Sequence, residues 1–284
     1  IMASKNYRRK PTTKRKSNAT SKWIFYLISF VLFLFVAIGV YTFRDGFLYY
    51  LGFKTDKNVE TLSKEERKLA DIRIYEVLHK HDDKAIGFDV SEYQSEIDWE
   101  QTYHLDESFE LSFVFIRATA GKNKIDSKFK ENWKASKERQ LIRGAYHYYR
   151  PNENSIEQAE NFIKTVKLQK GDLPPVLDIE KLPKSQSIDS LKVGLRRWLK
   201  KVEKHYKVKP IIYSGESYYT DFLKEEFSEY PLWIANYNFW RNHLEDDWSF
   251  WQFTEKAQIA GIEGMVDINI FNGDKNKLLL KCIR

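Results

Sequence analysis

The chain has 284 residues and a formal net charge of +7, with 42% hydrophobic and 15% aromatic residues. The charge is local: residues 1–22 carry Lys5, Arg8, Arg9, Lys10, Lys14, Arg15, Lys16 and Lys22 and no acid, leaving 39 basic and 40 acidic residues in the rest. A folded part without a basic surplus offers no electrostatic footprint for nucleic acid, and one cysteine, Cys282, makes neither an intrachain disulfide nor a cysteine-built zinc site.

Residues 1–22, rich in Ser, Thr and Asn, read as a basic cytoplasmic tail without a core of its own. Residues 23–43 follow without a charge between Lys22 and Arg44. As a helix rising ~1.5 Å per residue they span the ~30 Å hydrocarbon core of a bilayer. The run ends in Tyr41, Phe43 and Arg44 instead of small residues, which favours an uncleaved signal anchor over a removed signal peptide. The cations before it predict a single pass through the inner (cytoplasmic) membrane, with the N-terminus cytoplasmic and the rest outside. Residues 44–84 form a connector, whose aromatics Phe47, Tyr49, Tyr50 and Phe53 are expected at the membrane interface. Ser63 and Glu66 have capping-box spacing and open a helix through about His79, with Leu69, Ile72 and Leu78 on its apolar stripe. His79 and His81 lie in a charged stretch and are expected at a solvated surface, not on a metal.

From Ala85 onward short β-rich runs alternate with helical stretches. The strand candidates are 85–90, 113–118, 144–149, 175–180, 210–214, 231–236, 249–253 and 266–271, with helices at 128–139, 155–168 and 191–205. This alternation predicts parallel β/α units, and eight strands in about 200 residues suit a modified, TIM-like β/α barrel over residues 85–284. The last three strands are too close together for full helices between them. A doubly wound open sheet is the structural alternative.

In a parallel barrel the chemistry stands at the C-terminal strand ends. There the sequence places Asp89, Arg117, Tyr146, His147, Tyr148, Asp178, Glu180, Tyr213, Trp233, Asn236, Gln252, Asp267 and Asn269. Asp178 and Glu180 are the sharpest pair. Alternation along a strand puts them on one face, with Cα atoms about 6.5–7 Å apart. Two carboxylates this close do not both ionise readily, so one pKa should rise and supply a proton donor near neutral pH. Hydrolysis of a glycosidic bond needs such a donor and nearby negative charge for an oxocarbenium-like transition state. Tyr146, Tyr148, Tyr213 and Trp233 either line a sugar cleft or pack the barrel. Asn236 and Gln252 are hydrogen-bonding candidates beside them. Arg117, a charge on an apolar strand, is expected to pair with one of the acids. His147 has the opposite parity to Tyr146 and Tyr148 and is expected to pack outward.

The chain has no G-x-S-x-G elbow, H-E-x-x-H, Walker A loop or G-x-G-x-x-G. From Ile86 to Asp274 it resembles glycoside hydrolase family 25, the Chalaropsis-type lysozymes. The matching segments are Gly87-Phe-Asp-Val-Ser91 with Gln94 and Ile97-Asp-Trp99, then Phe115-Ile-Arg-Ala-Thr119, Gly144-Ala-Tyr-His-Tyr148 and Pro175-Val-Leu-Asp-Ile-Glu180. Pro210-Ile-Ile-Tyr213, Leu232-Trp-Ile-Ala235, Trp251-Gln252 and Val266-Asp-Ile-Asn269 complete the series in order.

The resemblance implies a modified β/α barrel that hydrolyses the β-1,4 bond between N-acetylmuramic acid and N-acetylglucosamine in peptidoglycan. It assigns Glu180 as proton donor and Asp178 as its partner, either orienting the substrate N-acetyl group or serving as second carboxylate. Asp89 and Asp267 line the same pocket, and no metal or organic cofactor is implied. Two other readings stay open: an inert peptidoglycan-binding module, and a hydrolase of chitin-type N-acetylglucosamine polymers. Against the second, the residues before Asp178 lack the alternating acids of the chitinase signature.

Overall fold

The structure is a computed structural model and describes residues 19–44, 46, 63–106, 108–245 and 247–284. Tail residues 1–18 and the aromatics Phe47, Tyr49, Tyr50 and Phe53 lie outside the described residues. The chain divides into two units, residues 1–48 and 49–284. In the first, helix α1 (Ala19–Thr42) contains an uncharged 20-residue stretch, Trp23–Thr42, that is long and apolar enough to cross a membrane. Its apolar residues are exposed on every side, unlike those of a core helix.

The second unit is built on eight strands: β1 (Ile86–Val90), β3 (Phe109–Ala120), β5 (Ile142–Tyr148), β6 (Val176–Asp178), β7 (Ile211–Gly215), β8 (Leu232–Ala235), β9 (Phe250–Ala257) and β10 (Val266–Phe271). They pair in the order β1-β3-β5-β6-β7-β8-β9-β10, and β10 returns to β1, so the sheet closes on itself. Two short strands, β2 (His104–Leu105) and β4 (Lys124–Ile125), are added antiparallel to the two ends of β3. The barrel is not parallel throughout. Of the eight barrel strands, β1, β3 and β5 to β9 run the same way, whereas β10 is antiparallel to both β9 and β1. The tight connection from β9 into β10 leaves no crossover helix, and a parallel return needs one.

The strand alternation sorts side chains into two cores. Phe113, Phe115, Val176, Ile211, Tyr213, Trp233, Phe250 and Phe271 fill the interior. Val114, Ile116, Leu177, Ile179 and Ile212 face outward onto the helices. Gly87 is needed for the interior packing, since a β-carbon there would overlap the Phe113 ring. Helices α3 (Phe129–Glu138), α4 (Ser155–Thr165) and α5 (Ile188–Tyr206) cover the first strands, with Phe162, Leu191, Leu195, Trp198 and Leu199 fully buried. Between β7 and β8 stands a broken helical run, 216–227, and among the described residues no full helix occupies the later strand-to-strand connections, as the short spacings predicted.

Outside β9, the missing cover is supplied by helix α2 (Lys64–Lys80), whose Ile74, Val77 and Leu78 join the same core cluster as the outward strand residues. Ser63 and Glu66 form the expected capping box. Leu69 and Leu78 are buried as expected, with Ala70, Arg73, Ile74 and Val77 beside them, but Ile72 is exposed and stands off the stripe. His81 also departs from its solvated expectation. It is buried, its Nε2 lies 3.0 Å from the Asn242 carbonyl, and its ring meets Trp251 edge-on.

Candidate active site

At the end of the barrel where β1 and β3–β8 finish, a cleft of about 550 Å³ opens. All four sequence-predicted acids, Asp89, Asp178, Glu180 and Asp267, line it. Asp267 reaches this end for a reason the sequence did not carry. It is the second residue of β10, and because that strand runs antiparallel its start lies beside the end of β1, with Asp267 in register with Asp89.

The strand register places Asp178. Val176 points into the interior cluster, so Asp178, two residues on, shares its face and stands one step nearer the cleft, in register with Tyr148 and Tyr213. β6 ends at Asp178, one pleat earlier than expected, yet the alternation continues. The Ile179 N–H donates to the Tyr213 carbonyl (3.0 Å), and the Ser214 hydroxyl donates to the Ile179 carbonyl (2.7 Å). Ile179 is fully buried on the outer face, which returns Glu180 to the cleft, where it is exposed while Asp178 is buried. The pair therefore has unequal environments. Asp178 is raised well above the usual carboxylate range, first by burial and then by the Glu180 and Asp89 charges, with Arg117 and Lys181 opposing. Its Oδ1 is buried with no hydrogen-bond partner among the described residues.

Asp89 is held by two amides. Gln252 Nε2 and Asn269 Nδ2 both donate to Asp89 Oδ2, each at 2.7 Å. Their orientations are fixed from behind. The Tyr213 hydroxyl donates to Gln252 Oε1 at 2.7 Å, and the Tyr237 hydroxyl donates to the same oxygen. Burial keeps both phenols protonated. The Trp233 indole, which can only donate, is 2.7 Å from Asn269 Oδ1. Each amide thus has its oxygen occupied and only its NH2 to offer Asp89. These bonds favour the carboxylate, but burial and the Glu180 charge outweigh them, and the Asp89 pKa is pushed up to about 7. Burial thus biases both Asp89 and Asp178 toward their protonated forms.

The remaining predicted residues divide. Tyr146 and Tyr148 are half-buried and line the cleft, as do Tyr213, Trp233 and Gln252. Trp233 is largely core: it stacks on Phe115 at 4.3 Å and meets Tyr213 edge-on at 4.6 Å. Gln252 is spent on Asp89 and the two phenols. Asn236 does not line the cleft: its side-chain NH2 donates to Glu216 and its carbonyl accepts from the Trp251 indole. Arg117 lines the cleft but pairs with none of the four acids. Its Nε is 2.8 Å from Asp126 and its Nη2 3.0 Å from Glu92. His147 packs outward as expected, with Nδ1 2.7 Å from the Thr119 hydroxyl and its ring stacked on Trp198. Burial pushes its pKa down to about 3, so it is a neutral core residue.

Tyr237, Tyr93, Glu92, Lys181 and Glu255 also line the cleft and were not anticipated. Tyr237 follows β8 on an irregular segment, where no period marks a direction. Tyr93 and Glu92 lie inside the Ser91–Gln94 turn motif, so proximity to Asp89 was the available signal.

The comparisons agree with this architecture. The family model Glycosyl hydrolases family 25 matches residues 88–262, a span that contains Asp89, Asp178 and Glu180 and stops short of Asp267. The uncharacterized protein YegX of Escherichia coli (strain K12) is 42% identical over 196 residues, covering 68% of this chain and 71% of that one. Lysozyme M1 of Streptomyces globisporus is 32% identical over 208 residues, covering 68% and 69%. Among solved structures, the bacterial lysozyme from Streptomyces coelicolor superposes with a TM-score of 0.63 at 28% identity, covering 70% of this chain and 96% of that one. A family 25 glycosyl hydrolase from Bacillus anthracis gives 0.63 at 29% identity, covering 70% and 94%. With the model match spanning more than half of the chain, this protein belongs to the glycosyl hydrolases of family 25.

Proposed function

We propose that the chain is a membrane-anchored peptidoglycan hydrolase, a muramidase that cleaves the β-1,4 bond between N-acetylmuramic acid and N-acetylglucosamine. The observation that carries the reading is the unequal carboxyl pair in the cleft: Glu180 exposed at the rim, and Asp178 buried behind it with an unoccupied oxygen.

In this reading Glu180 gives its proton to the glycosidic oxygen as the bond to C1 breaks, and a water oxygen finally makes the new bond to C1 while its proton goes to a carboxylate of the cluster. Asp178 faces the sugar from below. Its free Oδ1 accepts a hydrogen bond from the substrate, the acetamido N–H being the donor of suitable chemistry, and its charge supports the positive charge that develops at C1. Asp89, locked by Gln252 and Asn269, sits close enough to raise Asp178, and the proton that Asp178 is biased to hold passes to the Glu180 carboxylate once Glu180 has given up its own, leaving Asp178 charged beside C1. Asp267 adds a further carboxyl opposite Asp89. Tyr146 and Tyr148 supply hydroxyls and ring edges to the sugar, and Arg117 sets the field beside Asp178.

The α1 stretch serves as a signal anchor in the inner membrane, with the basic tail cytoplasmic and the hydrolase outside, where peptidoglycan is found. Family membership and the apolar helix support this placement. The reaction is tested by incubating the full chain in detergent with purified peptidoglycan, reducing the products with borohydride and identifying the new sugar alcohol. The alcohol of N-acetylmuramic acid is expected. The alcohol of N-acetylglucosamine, or none, overturns the reading.

A further inference from the structure

Tyr93 differs from every other aromatic residue at the cleft. It lines the cleft and is 78% exposed, whereas Tyr146 and Tyr148 are half-buried and Tyr213 and Trp233 are buried. An exposed tyrosine on a loop is ordinarily free to move. This one is held on both sides of its Cα and across its ring.

The turn carrying it, Glu92–Gln94, is a single 3₁₀ turn closed by a capping box between Ser91 and Gln94. The Ser91 N–H donates to Gln94 Oε1 at 2.8 Å, and the Tyr93 N–H donates to the Ser91 hydroxyl at 3.3 Å. The Glu92 N–H donates to Asp126 at 2.9 Å, and the Glu92 carboxylate accepts from Arg117, Ser127 and Lys124. Arg117, fixed between Glu92 and Asp126, lays its guanidinium 4.5 Å from the centre of the Tyr93 ring. One ring face is therefore covered by a cation that cannot swing away, and the exposure belongs to the opposite face and the edges. The result is a fixed, half-covered aromatic plate at the lip of the cleft.

We infer that Tyr93 is a stacking platform for a pyranose ring of the glycan, a sugar subsite beyond the carboxyl cluster. β-linked N-acetylhexosamines carry their substituents equatorially, so each ring presents apolar C–H faces that pack on an aromatic plane. The ring is already ordered, so sugar binding does not have to order it. The inference rests on reading the cleft as a glycan site. It assigns Arg117 a second task, holding the platform flat, which explains a buried cation that pairs with none of the reacting carboxyls.

The test uses the full chain in detergent, with turnover stopped by Glu180→Gln, in co-sedimentation with purified peptidoglycan. Adding Tyr93→Ala should weaken binding about tenfold, the scale of one aromatic stacking contact. Adding Tyr93→Phe or Tyr93→Trp should leave it within about twofold, because the ring and not the hydroxyl carries the contact. With Glu180 intact, Tyr93→Ala should raise KM with kcat little changed. The side chain is exposed and its loss leaves no cavity, and an unchanged Tm checks that the variant stays folded. If Tyr93→Ala binds like its parent, or Tyr93→Phe loses as much as Tyr93→Ala, the platform is wrong while the hydrolase reading stands. If the Glu180→Gln chain does not bind peptidoglycan and the unmutated chain releases no reducing ends, the glycan reading falls and takes the platform with it.

Discussion

Asp89 stands in the barrel interior with two amide donors on one oxygen and a second carboxyl, Asp267, in register across the strand pair. Its raised pKa makes a stability claim with a definite sign. The fold favours the protonated form, so the contribution is complete below the ordinary value of 3.8 and is lost as pH rises through about 7. Three units correspond to roughly 4 kcal/mol as an upper limit, shared with Asp178 and Glu180. An asparagine at this position can accept from both Gln252 and Asn269 and carries no charge. Asp89→Asn should therefore be the more stable protein at pH 8, by a few kcal/mol at most, with little difference at pH 4. Thermal melts across that range decide it, and a variant with the same pH slope as the parent contradicts the assignment. At this scale the acids were legible in advance, because strand ends in a barrel converge wherever the individual pleats fall. Asn236 was not, since a polar residue at a strand end serves a ligand or a neighbour equally well in sequence, and only its partner Glu216 separates the two; Gln252 does line the cleft, but its bonds to Asp89, Tyr213 and Tyr237 have no sequence signal.

Strands and helices were mostly found where the periodicities put them, and the departures have physical causes. The direction of β10 was hidden because alternation has period two whichever way a strand runs. The early end of β6 was hidden because Ile179 continues the alternation after the ladder has stopped. Helix α2 was read as part of a connector because it lies ahead of the strand pattern, and its burial depends on the bare outer face of β9. That burial is measurable. Leu78 is fully buried in the core cluster shared with the barrel. Leu78→Ala should cost about 2–4 kcal/mol and lower the Tm of the catalytic unit, although the residue lies outside the family-matched segment. A Tm shift of less than a degree means that the helix is not part of the unit. His81 belongs to the same lesson, since a charged neighbourhood in sequence became a buried seat against Trp251 once the chain was folded.

The molecule as a whole joins an apolar helix to a carboxyl-lined barrel. The charge asymmetry around that helix was legible from residue counts alone, because lysines and arginines before an apolar span are retained on the cytoplasmic side. A reporter enzyme that is active only outside the cytoplasm, fused after Arg284, should therefore be active. A silent reporter in a chain that is expressed and membrane-bound reverses the orientation. The central claim is that the Asp178–Glu180 end of this barrel cuts peptidoglycan glycan strands, and the most direct measurement is reducing-end release from purified peptidoglycan by the full chain and two substitutions. Glu180→Gln should lose at least about 100-fold in kcat, the scale of one general acid, and Asp178→Asn a comparable factor. Equal release by the unmutated chain and Glu180→Gln would contradict the account.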